Sequence, residues 1–251
     1  MLQKLSIQLS TENYSLFIFL ALVSEIIGTV SGFGSSILFV PVASLFFDFK
    51  TVLGITAVFH VFSNLSKIAL FRNGIDRKVA IRLGIPAVAF VIIGAMLTTI
   101  IPAEELTILM DVILVLLAIY LMANFNTTVK QTNQNLYAGG AASGFLAGIA
   151  GTGGAIRGIT LAAFGLTKEI FIATSALIDL GVDSSRAIIY VSNGYFKANL
   201  IILIPFLIGI SIAGTWLGKI ILNYTSEKVF RYLVLAVVII TSGFQLIKYF
   251  S

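Results

Sequence analysis

Long apolar stretches separated by short polar connections set the pattern of this chain. Val79 to Ile101, Leu106 to Met122, Leu200 to Leu222 and Val229 to Ile247 each approach or exceed the roughly 20 residues that carry a helix across hydrocarbon. The pattern predicts an all-α polytopic membrane protein. Its connections are too short to hold an ATPase, a sensor or an extramembrane catalytic domain. Two apolar segments are interrupted by glycine, at Gly32-Phe33-Gly34-Ser35-Ser36 and at Gly151-Thr152-Gly153-Gly154. Glycine breaks at corresponding places in two halves of an apolar chain are how transporters interrupt membrane helices to build a site near the bilayer midplane.

The halves match beyond the breaks. Gly32, Gly34, Lys67 and Pro86 stand at one constant offset from Gly151, Gly153, Arg186 and Pro205. After one inserted residue, Asn73-Gly74 matches Asn193-Gly194, and a helix starting near Glu104 matches one starting near Ser226. This predicts two repeats, residues 1–124 and 137–251, joined by a polar linker at 125–136. Each repeat holds a broken helical element followed by three transmembrane helices. Tyr14 to Phe47 as a single helix would extend about 50 Å, too long for one crossing and too short for two. Two half-length helices meeting at the glycines fit, entering and leaving on one side as a re-entrant hairpin. With three true crossings per repeat, the second must be inverted relative to the first. Hairpins also gather Arg72, Arg77, Lys78, Arg82, Lys130, Lys168, Lys219, Lys228 and Arg231 on one face, against Lys4, Lys50, Lys197 and Lys248 on the other, a bias that mildly suits the excess of cations in cytoplasmic loops.

Composition agrees with the pattern: 58% hydrophobic, 11% charged, mean hydropathy +1.04, far from soluble averages. The chain has no cysteine, which excludes disulfides and thiolate metal sites. Its net charge of +5 fits loops and lipid head groups, so the lipid bilayer is the expected partner and nucleic acid is not. The first apolar run, Tyr14 to Val23, follows Lys4 and Glu12 instead of a basic leader, and is expected to be structural, not a cleaved signal. No metal or other cofactor is expected, and a homodimer stays open.

Candidate chemistry sits at the breaks and on the charges inside apolar segments. Gly34, Ser35, Ser36, Gly153 and Gly154 would begin new half-helices whose free N–H groups and dipoles attract an anion. Gly28 and Gly32, and Gly140, Gly144 and Gly148, have the four-residue spacing that allows close helix packing, and packing is the reading for these outer glycines. Asp179, Asp183 and Arg186 follow one another at helical spacing on one face, and His60, Asn64 and Lys67 occupy the matching places in the first half. Ionisable side chains at membrane depth are costly and normally face a partner or a cavity. Arg186 and Lys67 are therefore candidate substrate ligands, although Asp183 and Arg186 could simply neutralise each other. Arg157 lies one turn beyond Gly153-Gly154 and offers a planar fork of donors for oxyanions, against a reading in which it snorkels to an interface. His60 is the only histidine and could bind substrate or carry a proton. Asp179, Asp183 and Glu25 are candidate coupling residues. Glu25 and the other lone acid, Asp111, could instead be partners of Lys67 or Arg186. The cations exceed the carboxylates in the stripes, which suits an anion.

The run Gly32-Phe33-Gly34-Ser35-Ser36 with Pro41, followed by Asn73-Gly74-Ile75-Asp76, resembles the TauE/SafE family of sulfite and organosulfonate exporters. Gly144 to Gly158 followed by Asn193-Gly194 repeats the pattern, so the resemblance covers essentially the whole chain. Ser35-Ser36 stands where the family commonly has further glycines, and Thr160 replaces the proline in the second copy. The resemblance implies secondary transport of a small sulfur-containing anion, such as sulfite, thiosulfate or an organosulfonate, across a prokaryotic plasma membrane or an organellar one. Alternating access around a site between the two breaks is the expected mechanism. The alternatives are a proton- or cation-coupled importer of another solute and a passive anion channel. An intramembrane enzyme is disfavoured: the sequence has neither HExxH nor a Gly-x-Ser-x-Gly elbow.

Overall fold

A computed structural model describes residues 11–31, 34–71, 74–123 and 130–222, together with Tyr224, Ile239 and Ile247. Gly32, Phe33, Asn73, the first part of the expected linker (125–129) and nearly all of the last apolar run lie outside these residues. Among the described residues the chain is helical, with no strand. The order is α1 (Thr11–Ser31), α2 (Ser36–Ala43), α3 (Phe49–Leu70), α4 (Arg77–Ile100), α5 (Ala103–Ala123), α6 (Asn133–Ala150), α7 (Gly154–Ala162), α8 (Lys168–Ser192), a 3-10 turn (Ala198–Leu203) and α9 (Ile204–Leu222). Among the described residues, four helical segments are long and apolar enough to cross a membrane: Tyr14–Ser31, Phe49–Leu70, Arg77–Ile100 and Ala198–Leu222.

Local chemistry starts these helices where they start. Asp48 caps α3 by accepting from the Thr51 N–H at 3.1 Å, and Asp76 caps α4 by accepting from Val79 at 3.0 Å. Thr132 does the same for α6 through Asn135. Such caps satisfy N–H groups that no preceding turn can reach. Both breaks turn on a left-handed glycine, Gly34 at φ +79° and Gly151 at φ +76°, a region costly for side chains with a β-carbon.

The broken elements are less even than two half-length helices. α1 has 21 residues and α2 only 8, while α6 has 18 and α7 has 9. The first arm is long because Tyr14–Ser31 is apolar enough to cross a membrane and lies along α9, where Gly214 and Gly218 leave room for Glu25 and Thr29. Phe17 near the start of α1 meets Phe47, just after α2, at 5.1 Å between rings. In the second half, Arg82 Nη1 reaches Asn133 Oδ1 at 2.6 Å and the Asp76 N–H reaches Thr174 Oγ1 at 3.0 Å. The starts of α4, α6 and α8 therefore share one end. Asp48, Lys50, Tyr195 and Lys197 gather at the other.

Packing follows the rule of a membrane protein. Ile85, Ile100, Ile188 and Phe206 are exposed, while Glu25, Lys67, Arg157, Asp183 and Arg186 are buried. α4 and α6 pack backbone to backbone: a β-carbon on Gly140, Gly144 or Gly148 would strike the backbone at Leu83, Ala87 or Val91, and one on Gly94 would strike Phe145. The packing reading therefore holds for Gly140, Gly144 and Gly148, and for Gly28 as well, which lies against the Ser35 backbone, while Gly32 lies outside the described residues. Phe17, Phe39 and Phe59 continue the core beside the first break, with ring separations of 5.9 and 4.7 Å.

Candidate functional site

Helical geometry brings four buried starts and stripes to one place. The beginnings of α2 and α7 face each other across the middle of the bundle, with Ser36 Oγ 3.2 Å from Thr152 Oγ1. α3 supplies His60, Asn64 and Lys67 from one face, and α8 supplies Asp179, Asp183 and Arg186 from the other. Together with Gly34, Ser35, Ser36, Gly153, Gly154 and Arg157 they line one small polar cavity. Every expected substrate ligand borders it, as do Asp179 and Asp183. Its free space holds about one or two waters. A neighbouring space shares Gly34, Asn64, Lys67 and Asp179 and continues to Gly28, Thr29 and Ser175.

The charges around this cavity are paired. Lys67 Nζ lies 2.8 Å from Glu25 Oε1, Arg186 Nη2 lies 2.7 Å from Asp183 Oδ1, and Arg157 Nη1 contacts Asp179 Oδ1. Desolvated charges persist only when paired and hydrogen-bonded, and each pair has such support. Glu25 accepts from Ser35 at 2.6 Å, Ser63 at 2.7 Å and Thr215 at 3.0 Å. Asp183 accepts from Asn64 Nδ2 at 2.7 Å, a bond between residues 119 positions apart. That is the same offset that separates Gly32 from Gly151. The expected excess of cations is thus corrected: Glu25 enters from α1, and three acids balance three bases.

The two arginines differ in their remaining donors. Arg186 directs Nη1 at the carbonyls of Ala147, at 3.0 Å, and Gly151, at 2.8 Å, while Tyr190 donates to the Gly148 carbonyl. α8 therefore satisfies the carbonyls left open where α6 ends. Arg157 donates Nε to Ser175 at 2.8 Å, and its Nη2 sits 3.5 Å from where a β-carbon on Gly34 would be. It is 3% exposed, so it does not snorkel. Its partner Asp179 has the most accessible side chain of the three acids, at 16%, against 6% and 0% for Asp183 and Glu25.

The profile of the sulfite exporter TauE/SafE family matches residues 16–245. The chain belongs to that family. No match to a curated protein was found. TauE/SafE membership makes it a membrane transporter of the sulfite-exporter kind, and the exposed apolar helices make it an integral membrane protein. It also bears on Ser35, whose hydroxyl lies 2.9 Å from His60 Nε2. The pair has the contact of a nucleophile and its base, yet Ser35 is fully buried and the family is one of transporters, not enzymes.

Several residues around the cavity escaped the sequence-based list of ligands. Asn64 was on the α3 stripe, and Ser175 lies one turn before Asp179, so helical spacing could have found both. Thr152 lies within the second break. Ser63 and Thr215 touch Glu25 through tertiary packing alone, and no local pattern points to them.

Proposed function

We propose that the protein is a secondary transporter of small sulfur-containing oxyanions, sulfite, thiosulfate or an organosulfonate, in a prokaryotic plasma membrane. The anion occupies the cavity between the two breaks, and the halves rock around it to open alternately to either side. The observation that carries this reading is that glycine breaks from both halves meet at one buried polar cavity bordered by Arg157. N–H groups at the starts of α2 and α7 and the Arg157 fork supply donors for the oxyanion, with Gly34, Ser36, Gly153 and Gly154 forming the wall. Lys67 and Arg186 supply positive potential from paired positions. The space is too small for a sulfonate in this state, so binding requires Arg157 to part from Asp179, the accessible carboxylate. Inverted repeats with re-entrant broken elements account for the antiparallel course of α3 and α8 and for the bond between Asn64 and Asp183 at matching positions.

Ligand-induced stabilisation of the purified protein tests this function, because a ligand that binds only the native state raises its stability, by about 2.7 kcal/mol at a hundred times Kd. Sulfite, thiosulfate and methanesulfonate are expected to raise Tm in the native protein. The double variant Arg157→Gln, Asp179→Asn removes the pair without leaving a lone buried charge, and should fold but show no anion response. A full response in that variant, or a response in the native protein to phosphate and carboxylates alone, sinks the proposal.

A further inference from the structure

Glu25, Ser35 and His60 form a hydrogen-bonded chain at the wall of the anion cavity, and its hydrogens can be counted. The Thr56 carbonyl oxygen lies 2.7 Å from His60 Nδ1. A carbonyl only accepts, so Nδ1 carries a hydrogen, and in neutral histidine that leaves Nε2 as an acceptor. Nε2 is 2.9 Å from Ser35 Oγ, and the same oxygen is 2.6 Å from Glu25 Oε2. These two contacts need a hydrogen each, and the serine hydroxyl supplies one. The second must be an added proton, held on the Glu25 carboxyl or on His60 Nε2. Without it, one contact sets lone pair against lone pair between buried groups.

The surroundings make that proton consequential. Glu25 faces Lys67 and Ser63 from α3 and Thr215 from α9. His60 faces the rings of Phe39 and Phe59 and borders the cavity with Lys67, Arg157, Asp179, Asp183 and Arg186. Three acids and three bases leave this cluster without net charge, so a bound proton gives it a charge of one. Ser35 also begins the break, next to Ser36 on the cavity wall, so any movement of α2 that admits an anion stretches the chain that holds the proton.

We infer that Glu25, Ser35 and His60 are a proton relay that binds one proton together with one monoanion, coupling transport to a proton gradient. The inference rests on the anion-transport reading for its cargo, and its two tests separate the failures. In the first, protein labelled with 15N-histidine and freed of any histidine tag is titrated in lipid nanodiscs. Because His60 is the only histidine in the chain, the imidazole signals belong to it alone. Nδ1 is expected to carry hydrogen throughout, and the Nε2 signal to move with pH. Ser35→Ala and Glu25→Gln should each displace its midpoint by about one pH unit, a tenfold change in proton affinity. An Nδ1 without hydrogen, or a midpoint indifferent to both substitutions, overturns the relay whatever the protein transports.

The second test counts protons moved per anion in proteoliposomes, with methanesulfonate as cargo because it remains a monoanion at every pH used. The native protein should move protons with the anion, and Ser35→Ala should lower that ratio, by up to about tenfold at pH well above the titration midpoint, as a tenfold loss of proton affinity requires. An unchanged ratio in Ser35→Ala overturns the inference. A native protein that moves no sulfur oxyanion refutes the transport reading instead, and the relay is then decided by the titration.

Discussion

Arg186 has its donors on Asp183, Ala147 and Gly151, whereas Arg157 reaches Asp179 and Ser175 beside free space. Equal chemistry in unequal settings predicts unequal consequences. Arg186→Gln strands the Asp183 carboxylate with Asn64 and uncaps the end of α6. Breaking a buried ion pair from one side costs about 3–5 kcal/mol, so this variant should lose much of its thermal stability in any buffer. Arg157→Gln strands a more accessible carboxylate and should lose distinctly less stability while losing its response to anions. Comparing the two melting curves checks the order, and equal losses would contradict the division into a structural and a ligand-facing arginine. Much of this site was legible from residue types alone. Helical spacing put His60, Asn64 and Lys67 on one face and Asp179, Asp183 and Arg186 on another. The pairing was not legible, because Lys67 finds Glu25 and Arg157 finds Asp179 only when separate helices pack, and no local period encodes that meeting.

At the scale of the element, glycine does opposite jobs within one bundle. A β-carbon at Gly144 would strike the backbone of Ala87, whereas one at Gly209 meets nothing within 4 Å. Gly144→Ala must push α6 off α4, and overpacking of this kind costs about 1–3 kcal/mol. Gly209→Ala adds a better helix former without a clash and should stabilise by up to about 1 kcal/mol. Thermal scans of the two variants should move in opposite directions; a loss in both would show that α9 is constrained in ways its open flank does not reveal. The uninterrupted elements were readable from apolar runs, since α4 and α5 start and stop within two or three residues of their expected bounds. The unequal arms were not. The glycines mark where the chain turns, but the length of α1 depends on its contact with α9, which lies far along the sequence.

Across the whole molecule, charge lies within and apolar surface outside, and the two ends are distinct. Asp48 and Lys197 lie 3.6 Å apart at one end, and Lys219 Nζ meets the Leu70 carbonyl at 2.6 Å at the other. α3 thus begins where α8 finishes, and α4 begins where α9 finishes, so matching elements run in opposite directions. That is the arrangement an inverted duplication would leave, and it makes a demand on topology that a bilayer can test. The chain has no cysteine, so single cysteines can be introduced without background. Lys50→Cys and Lys197→Cys should react with a membrane-impermeant thiol reagent from one side, and Lys78→Cys and Lys168→Cys from the other. If either broken element crossed the membrane completely, the residues after it would change sides relative to those before it. A full crossing by the second broken element would make Lys50→Cys and Lys197→Cys label from opposite faces, and the hairpin reading of that break would fall while the helical bundle itself stood.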